Sequence, residues 1–330
     1  MPAGAVLGWG SVLPPRMVSN EELAPALGAT AAALTERTGI TRRHFVEPGI
    51  APSDLAREAS LAALSAAGLT AEDVDLIIFA TMTPDIAFPG SGCFLQDKLA
   101  CRTVGAIDVR AQCAGFLFAL VTADHYVRSG KAKCVLVAGG EVYSTALEMA
   151  PRAAAVTPVF GDGAGVAIVG AAERAGILGA TLHSDPEDLE RFWCEFPASR
   201  HTPARMDMEH FNAGDHFYRL DAERVHPQAE RALAEAAREA LARADVPLER
   251  IALHVVNYFD PRVARKAIAG LGVPDARILA TAGAAGHLGA AGIPVAVADA
   301  LARGLVRRGD LVCCSAFGAG MSWGAAIVEL

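Results

Sequence analysis

Phe160–Gly170 reads FGDGAGVAIVG and Phe317–Glu329 reads FGAGMSWGAAIVE, and the likeness of the two governs how the rest of the chain is read. Each stretch follows a buried-looking apolar run, VLVAGG at 135–140 and LVCCSAFGAG at 311–320. Upstream of each run lies a helix rich in small residues. One opens after Gln112-Cys113-Ala114-Gly115, the other after Gly286-His287-Leu288-Gly289. Self-similarity on this scale marks a duplicated architecture. The expectation is two similar halves, 1–170 and 222–330, each with a polar residue at a helix N-terminus. The stretch 171–221 breaks the pattern. Its DPEDLERFWCEFPASRHTPARMDMEHF is rich in Pro, Asp, Glu, His and aromatics, and it reads as an insertion or lid.

Working outward, short apolar runs alternate with helical patterns. Val74–Thr81, Thr103–Val109, Cys134–Ala138, Ala164–Val169, Ile251–Val256 and Leu311–Ala316 read as buried strands. Leu55–Ala67, Cys93–Leu99, Ala114–Ser129, Ala222–Ala244 and Ile293–Leu305 read as helices. Such alternation implies an α/β protein with mostly parallel sheet covered by helices on both faces.

Composition sets the outer limits. The 330 residues carry 29 basic and 37 acidic side chains, a net charge of −8, and no Lys/Arg-rich run, so a nucleic-acid partner is excluded. With 52% hydrophobic residues the chain must bury a large core. Its longest apolar stretches, such as Ala291–Ala302, are too short and broken for a bilayer. The opening MPAGAVLGWG lacks the basic start and apolar run of a signal peptide, so a soluble cytoplasmic protein is expected. The seven cysteines are odd in number and contain no CxxC, which argues against a disulfide framework or a metal site.

Chemistry concentrates at a few positions. Cys113 sits at a strand-to-helix junction, where free N–H groups favour a thiolate; the bland alternative is a small buried hydrophobe. His287, wrapped in Gly and Ala, is its counterpart in the other half, either a helix-capping histidine or the base of a nucleophile–base pair. Asn257 ends a strand, with Asp260 and Arg262 just beyond, where α/β proteins place ligands. His254 reads as a core histidine, Cys313 and Cys314 as packing, and Asp162 as a turn residue. His201, His210 and His216 read as solvated loop histidines without metal-ligand spacing. The glycine motifs precede strands and so fail the dinucleotide fingerprint.

Nearly the whole chain resembles the β-ketoacyl-acyl-carrier-protein synthase III (KAS III) family of the thiolase superfamily. The matching stretches are GWGSVLPPRMVSNEEL (8–23), ERTGITRRHF (36–45), ATMTPDIAFPGSGCFLQDKL (80–99), AIDVRAQCAGFLFAL (106–120), VFGDGAGVAIV (159–169) and the closing FGAGMSWGAAI. The resemblance implies a thiolase-like five-layered αβαβα fold, a homodimer, and an acyl group carried as a thioester on Cys113. It places Phe88 in the partner's acyl pocket, Arg37 near the pantetheine tunnel and Arg262 at the carrier-protein docking face. It also implies an oxyanion hole from Gly318–Gly320 with the Cys113 N–H.

The departures are as informative. Where the family has a histidine in Pro-His-Gln-Ala-Asn, this chain has Val256-Asn257-Tyr258-Phe259-Asp260. Where it has an asparagine in Gly-Asn-Thr-Ser, this chain has Gly286-His287-Leu288-Gly289. The two side chains that bind the malonyl thioester carbonyl in the family are thus exchanged. The tryptophan that stacks on adenine aligns with Ala33, and only Arg152 lies near its arginine partner's position.

The exchange resembles the pattern of KAS III-like acyltransferases of polyketide pathways, and that resemblance implies an acyltransferase of polyketide or secondary metabolism. It would pass an acyl group from a CoA or carrier-protein thioester through acyl-Cys113 to a small-molecule acceptor. His287 would be the general base, with Asn257 or Asp260 orienting it or donating a hydrogen bond. No cofactor is expected beyond the CoA or phosphopantetheine of the substrate. The alternatives are decarboxylative carbon–carbon condensation and a catalytically silent partner subunit.

Overall fold

The computed structural model describes residues 3–202 and 204–330; Met1, Pro2 and Pro203, the last within the 171–221 stretch, lie outside them. Five strands build the first sheet: β1 (Ala3–Val12), β2 (Leu76–Ala80), β3 (Gly105–Val109), β4 (Cys134–Glu141) and β5 (Gly163–Ala172). Five more build the second: β6 (Ile177–Ser184), β7 (Ile251–Asn257), β8 (Ile278–Ala280), β9 (Leu311–Gly318) and β10 (Ser322–Glu329). The spatial orders are β1-β5-β4-β2-β3 and β6-β10-β9-β7-β8, so adding five to each label of one sheet reproduces the other. The duplication read from the glycine stretches is therefore a duplication of topology.

The central strands are buried on both faces: Leu76–Ala80 (LIIFA) and Cys134–Glu141 are wholly buried, as continuous apolar runs require in covered sheets. The expectation of mostly parallel pairing needs correction. In each sheet two pairings are parallel and two antiparallel. Only Ala319, Gly320 and Met321 separate β9 from β10, too few for a crossover, so the chain must turn straight back.

Helices supply the remaining layers. The outer helix α1 (Pro52–Ala67) packs on β1, β5 and β4, and its first turn is closed by Asp54 accepting from the Ala51 N–H at 2.9 Å. Beside it, α2 (Ser91–Lys98) covers β2 and β3. Between the sheets run α3 (Gly115–Arg128) and α6 (Gly292–Ala302), buried over most of their lengths. On the far side, α4 (Ala222–Ala244) packs on β10, β6 and β9, and α5 (Pro261–Ala269) on β7 and β8. The result is the αβαβα layering of a thiolase-like fold.

The 171–221 stretch is not uniform. Its Ile177–Ser184 is β6, paired with β10 over Ile177–Ser184, so the second sheet recruits a strand from before residue 222. The remainder carries the ribbon Phe192–Trp193 with Arg219–Leu220 and a short helix, Met208–Ala213. Its histidines stack on phenylalanines instead of lying free in solvent. His201 and His210 flank Phe196 at 4.3 and 4.2 Å, and His216 lies 4.1 Å from Phe217 between ring centroids. Among the described residues no helix is long and apolar enough to cross a membrane.

Candidate active site

Strand β3 delivers Cys113. After Val109 the backbone bends sharply: Gln112 takes φ +48°, a conformation that costs a non-glycine residue about 1–3 kcal/mol, and α3 begins at Gly115. The turn presses Cys113 against the end of β9. A Cβ at Gly318 would lie 2.8 Å from the Cys113 Cβ and 2.9 Å from its nitrogen, so only glycine fits there. The backbone N–H groups of Cys113 and Ala319 favour the thiolate, though less strongly than burial disfavours it.

His287 arrives from the other half. Gly286 adopts φ +77°, and the His287 backbone then pairs with the segment before β5: its N–H donates to Val159 O at 2.8 Å and its carbonyl accepts from Gly161 N–H at 3.1 Å. This places Nε2 3.0 Å from the Cys113 sulfur, with both side chains buried. Burial pushes the thiol up to about 12, the Glu141 charge adding to it, and holds the imidazole down to about 3. The thiolate expected from the helix start gives way to burial, which disfavours both charged forms at once. The pair rests neutral, with S–H donating to Nε2 and the imidazole hydrogen on Nδ1, an atom without a partner among the described residues.

Asn257 lies behind this pair and is fully engaged. Its Nδ2 donates to Cys113 O at 2.8 Å and Gly289 O at 2.7 Å, and its Oδ1 accepts from Thr281 Oγ1 at 2.8 Å. It ties the nucleophile turn to the histidine turn. Asp260 is turned to a different task. It caps α5 through the N–H groups of Arg262 and Val263 and binds the Arg262 guanidinium at 2.6 and 3.0 Å. Arg262 spends its other donors on the carbonyls of Glu36 and Arg37.

Arg37, Arg152 and Phe88 lie on the surface. The Arg37 side chain is exposed, Arg152 pairs with Glu148, and Phe88 is 80% exposed. Gly320 lies in the turn between β9 and β10 at φ +129°. His254, Cys313 and Cys314 are core residues. Asp162 is more than a turn residue: it is buried and accepts from the N–H groups of Val46 and Ser144.

Two further residues belong to the site. Glu141, at the end of β4, is wholly buried and accepts from Thr81 Oγ1, the N–H groups of Met82, Thr83 and Ala290, and Thr83 Oγ1. Burial raises it to about 7. Tyr143, two residues on, is buried, and its hydroxyl has no partner among the described residues. The strand end that carries both was visible in the sequence, but nothing in their spacing points to Cys113.

Comparison with known proteins meets this geometry. The family profile for 3-oxoacyl-[acyl-carrier-protein (ACP)] synthase III matches residues 107–186, and its C-terminal counterpart matches 241–330. The chain is 37% identical over 335 aligned positions to the β-ketoacyl-[acyl-carrier-protein] synthase III of Bordetella petrii, covering 100% of this chain and 99% of that protein. The crystal structure of the synthase III of Aquifex aeolicus superposes with a TM-score of 0.89 at 31% identity, over 99% of this chain and 100% of that one. The priming β-ketosynthase of the R1128 polyketide pathway superposes with a TM-score of 0.91 at 28% identity, over 100% and 96%. Matched over both halves and along its full length, the chain belongs to the 3-oxoacyl-[acyl-carrier-protein] synthase III family.

Proposed function

We propose that this enzyme is an acyltransferase that loads an acyl group from a CoA or carrier-protein thioester onto Cys113 and passes it to an alcohol or amine. The observation that carries this reading is the engagement of Asn257. Both its amide hydrogens and its oxygen are held by Cys113, Gly289 and Thr281. That leaves His287 with Nε2 on the sulfur and no amide hydrogen of Asn257 free to face the nucleophile. A malonyl thioester would then lack the second donor that holds its carbonyl as carbon dioxide departs, whereas acyl transfer needs a nucleophile, one base and an oxyanion site.

In the loading step Cys113 gives its proton to His287 Nε2 as the sulfur attacks the donor carbonyl. The N–H groups of Cys113 and Ala319 meet the oxyanion. The leaving thiolate departs with the proton from His287. In the second half the acceptor gives its proton to Nε2 while its oxygen or nitrogen attacks the acyl carbonyl; the carbon–sulfur bond breaks and the proton returns to sulfur. Arg37 and Arg152 would face the donor's phosphates, and carrier protein or CoA is the partner. A homodimer suits the first sheet, whose edge strand β3 is unpaired on one side among the described residues and exposes Ile107, with the exposed Phe88 two residues before Gly90, which abuts Asp108 of that strand. An edge of this kind is protected by pairing with a second copy.

Condensation is the second reading, supported by the full-length likeness to a protein named as a synthase. Intact mass after incubation with acyl and malonyl thioesters, with Cys113→Ala in parallel, separates the two. A stable adduct on Cys113 that an alcohol or amine clears without carbon dioxide release supports acyl transfer. An acyl adduct cleared by malonyl carrier protein with release of carbon dioxide overturns it.

A further inference from the structure

We propose that the Tyr143 hydroxyl donates a hydrogen bond to the acyl group held on Cys113, and that this group is short and carries a neutral oxygen beyond the thioester carbonyl. The inference rests on the acyl-Cys113 reading and names its substrate class.

Its starting point is an unsatisfied group. Tyr143 is 1% exposed and its hydroxyl has no hydrogen-bond partner among the described residues. A buried donor in that state costs about 1–3 kcal/mol, so it marks a place where a ligand completes the site. Its neighbour Glu141 cannot serve, because that carboxylate already accepts from five donors, the number its lone pairs can hold being about four. The hydroxyl faces the backbone of Gly289, so close that a Cβ there would overlap it, and Gly289 is the residue whose carbonyl Asn257 ties to the nucleophile turn. Tyr143 and Cys113 belong to one buried cluster, and burial above all pushes the phenol's ionisation up, with Glu141 and Cys113 adding to it.

The surroundings set the class. Tyr143, Phe160 and Tyr218 form a closed triangle of rings at 4.5, 5.5 and 5.7 Å between centroids, and Phe160 in turn lies 5.8 Å from the His287 ring. These packed rings crowd the His287 end of the site with bulky side chains, which favours a short acyl group. The Glu141 carboxylate lies beside the hydroxyl, and a Cβ at Gly289 would strike both of them. A terminal carboxylate would be repelled there, while a keto or hydroxyl oxygen would accept the bond.

The test pairs acetoacetyl-CoA with butyryl-CoA, equal in length and differing in one oxygen, and follows adduct formation on Cys113 by intact mass in wild type and Tyr143→Phe. Comparing the two enzymes cancels the different intrinsic reactivities of the donors. The expected result is that the ratio of acetoacetyl to butyryl loading falls roughly tenfold in Tyr143→Phe, the effect of one hydrogen bond of about 1.4 kcal/mol. Tyr143→Leu should in addition admit octanoyl-CoA. An unchanged preference in a variant that still loads butyryl overturns the inference alone. Failure of wild type to load any donor overturns the acyl-Cys113 reading, and this inference with it.

Discussion

Asn257 and His287 show how little a residue type says until its partners are known. His287 is the base nearest the Cys113 thiol, which burial pushes up to about 12, so loading without it requires an almost wholly protonated sulfur to attack unaided. His287→Ala should therefore slow adduct formation on Cys113 by roughly 10²–10⁴, the usual worth of a positioned base, with thermal unfolding little changed; loading at the wild-type rate would sink the role. Asn257→Ala strands two buried carbonyls and a threonine hydroxyl, and should cost about 2–4 kcal/mol in denaturant unfolding while also slowing loading. A variant as stable as wild type would show those bonds to be replaceable. Cys113 and His287 were legible in the sequence because small residues crowd helix starts of matching context. Asp260 was not, since an aspartate two residues before an arginine reads equally as a site acid and as a helix cap. Position relative to Pro261 now decides for the cap. Glu141 and Tyr143 were invisible because their relevance lies in contacts with residues some 150 positions away.

At the scale of elements, the paired glycine stretches turn out to be devices for close approach. Gly165 in β5 lies under α6, where a Cβ would fall 2.7 Å from Val295 N and 2.8 Å from Pro294 Cβ. Gly318 at the end of β9 does the same against Cys113. Different consequences follow from replacing each. Gly165→Ala must push a middle-layer helix off its sheet, and should lower unfolding stability by about 1–3 kcal/mol while leaving donor selectivity alone. Gly318→Ala displaces the nucleophile itself, so loading should be lost out of proportion to stability. Equal losses of stability in the two, with Gly318→Ala still loading, would mean that β9 yields where β5 does not. Strands buried on both faces and the long helices were readable from apolar runs and helical periodicity. Strands β1 and β6 escaped notice, being edge strands of mixed burial: Gly4 and Gly179, where side chains would strike Asp124 and α4, break the pattern. Pairing direction is a property of connections, not of strands, which is why the antiparallel half of each sheet was missed.

The whole molecule binds these charges into one pH response. The folded chain holds His287 at about 3 and His254 at about 4, both by burial, so unfolding lets each take up a proton below the ordinary histidine range near 6.5. The unfolded state then binds more protons, and stability falls as pH drops from about 6.5 toward 4. Glu141 acts in the opposite sense. Its folded value of about 7 lies above its ordinary 4.5, so the folded chain holds the extra proton between the two and loses stability as pH rises through that window. Among these three groups, the two histidines outweigh the glutamate from 4.5 to 6.5, and their pull toward lower stability is unopposed by it below 4.5, where Glu141 is protonated in both states. Glu141→Gln removes the opposing proton and should make stability fall more steeply from pH 6.5 to 4.5, while His254→Asn should flatten the same limb. Urea midpoints collected across pH 4–8 for the three proteins provide the check. Parallel curves for Glu141→Gln and wild type would mean that the carboxyl beside Cys113 stays ionised throughout, held by its five donors in spite of burial. In that case a fixed negative charge, rather than a titrating acid, would hold the Cys113 thiol up at every working pH, adding to the effect of burial.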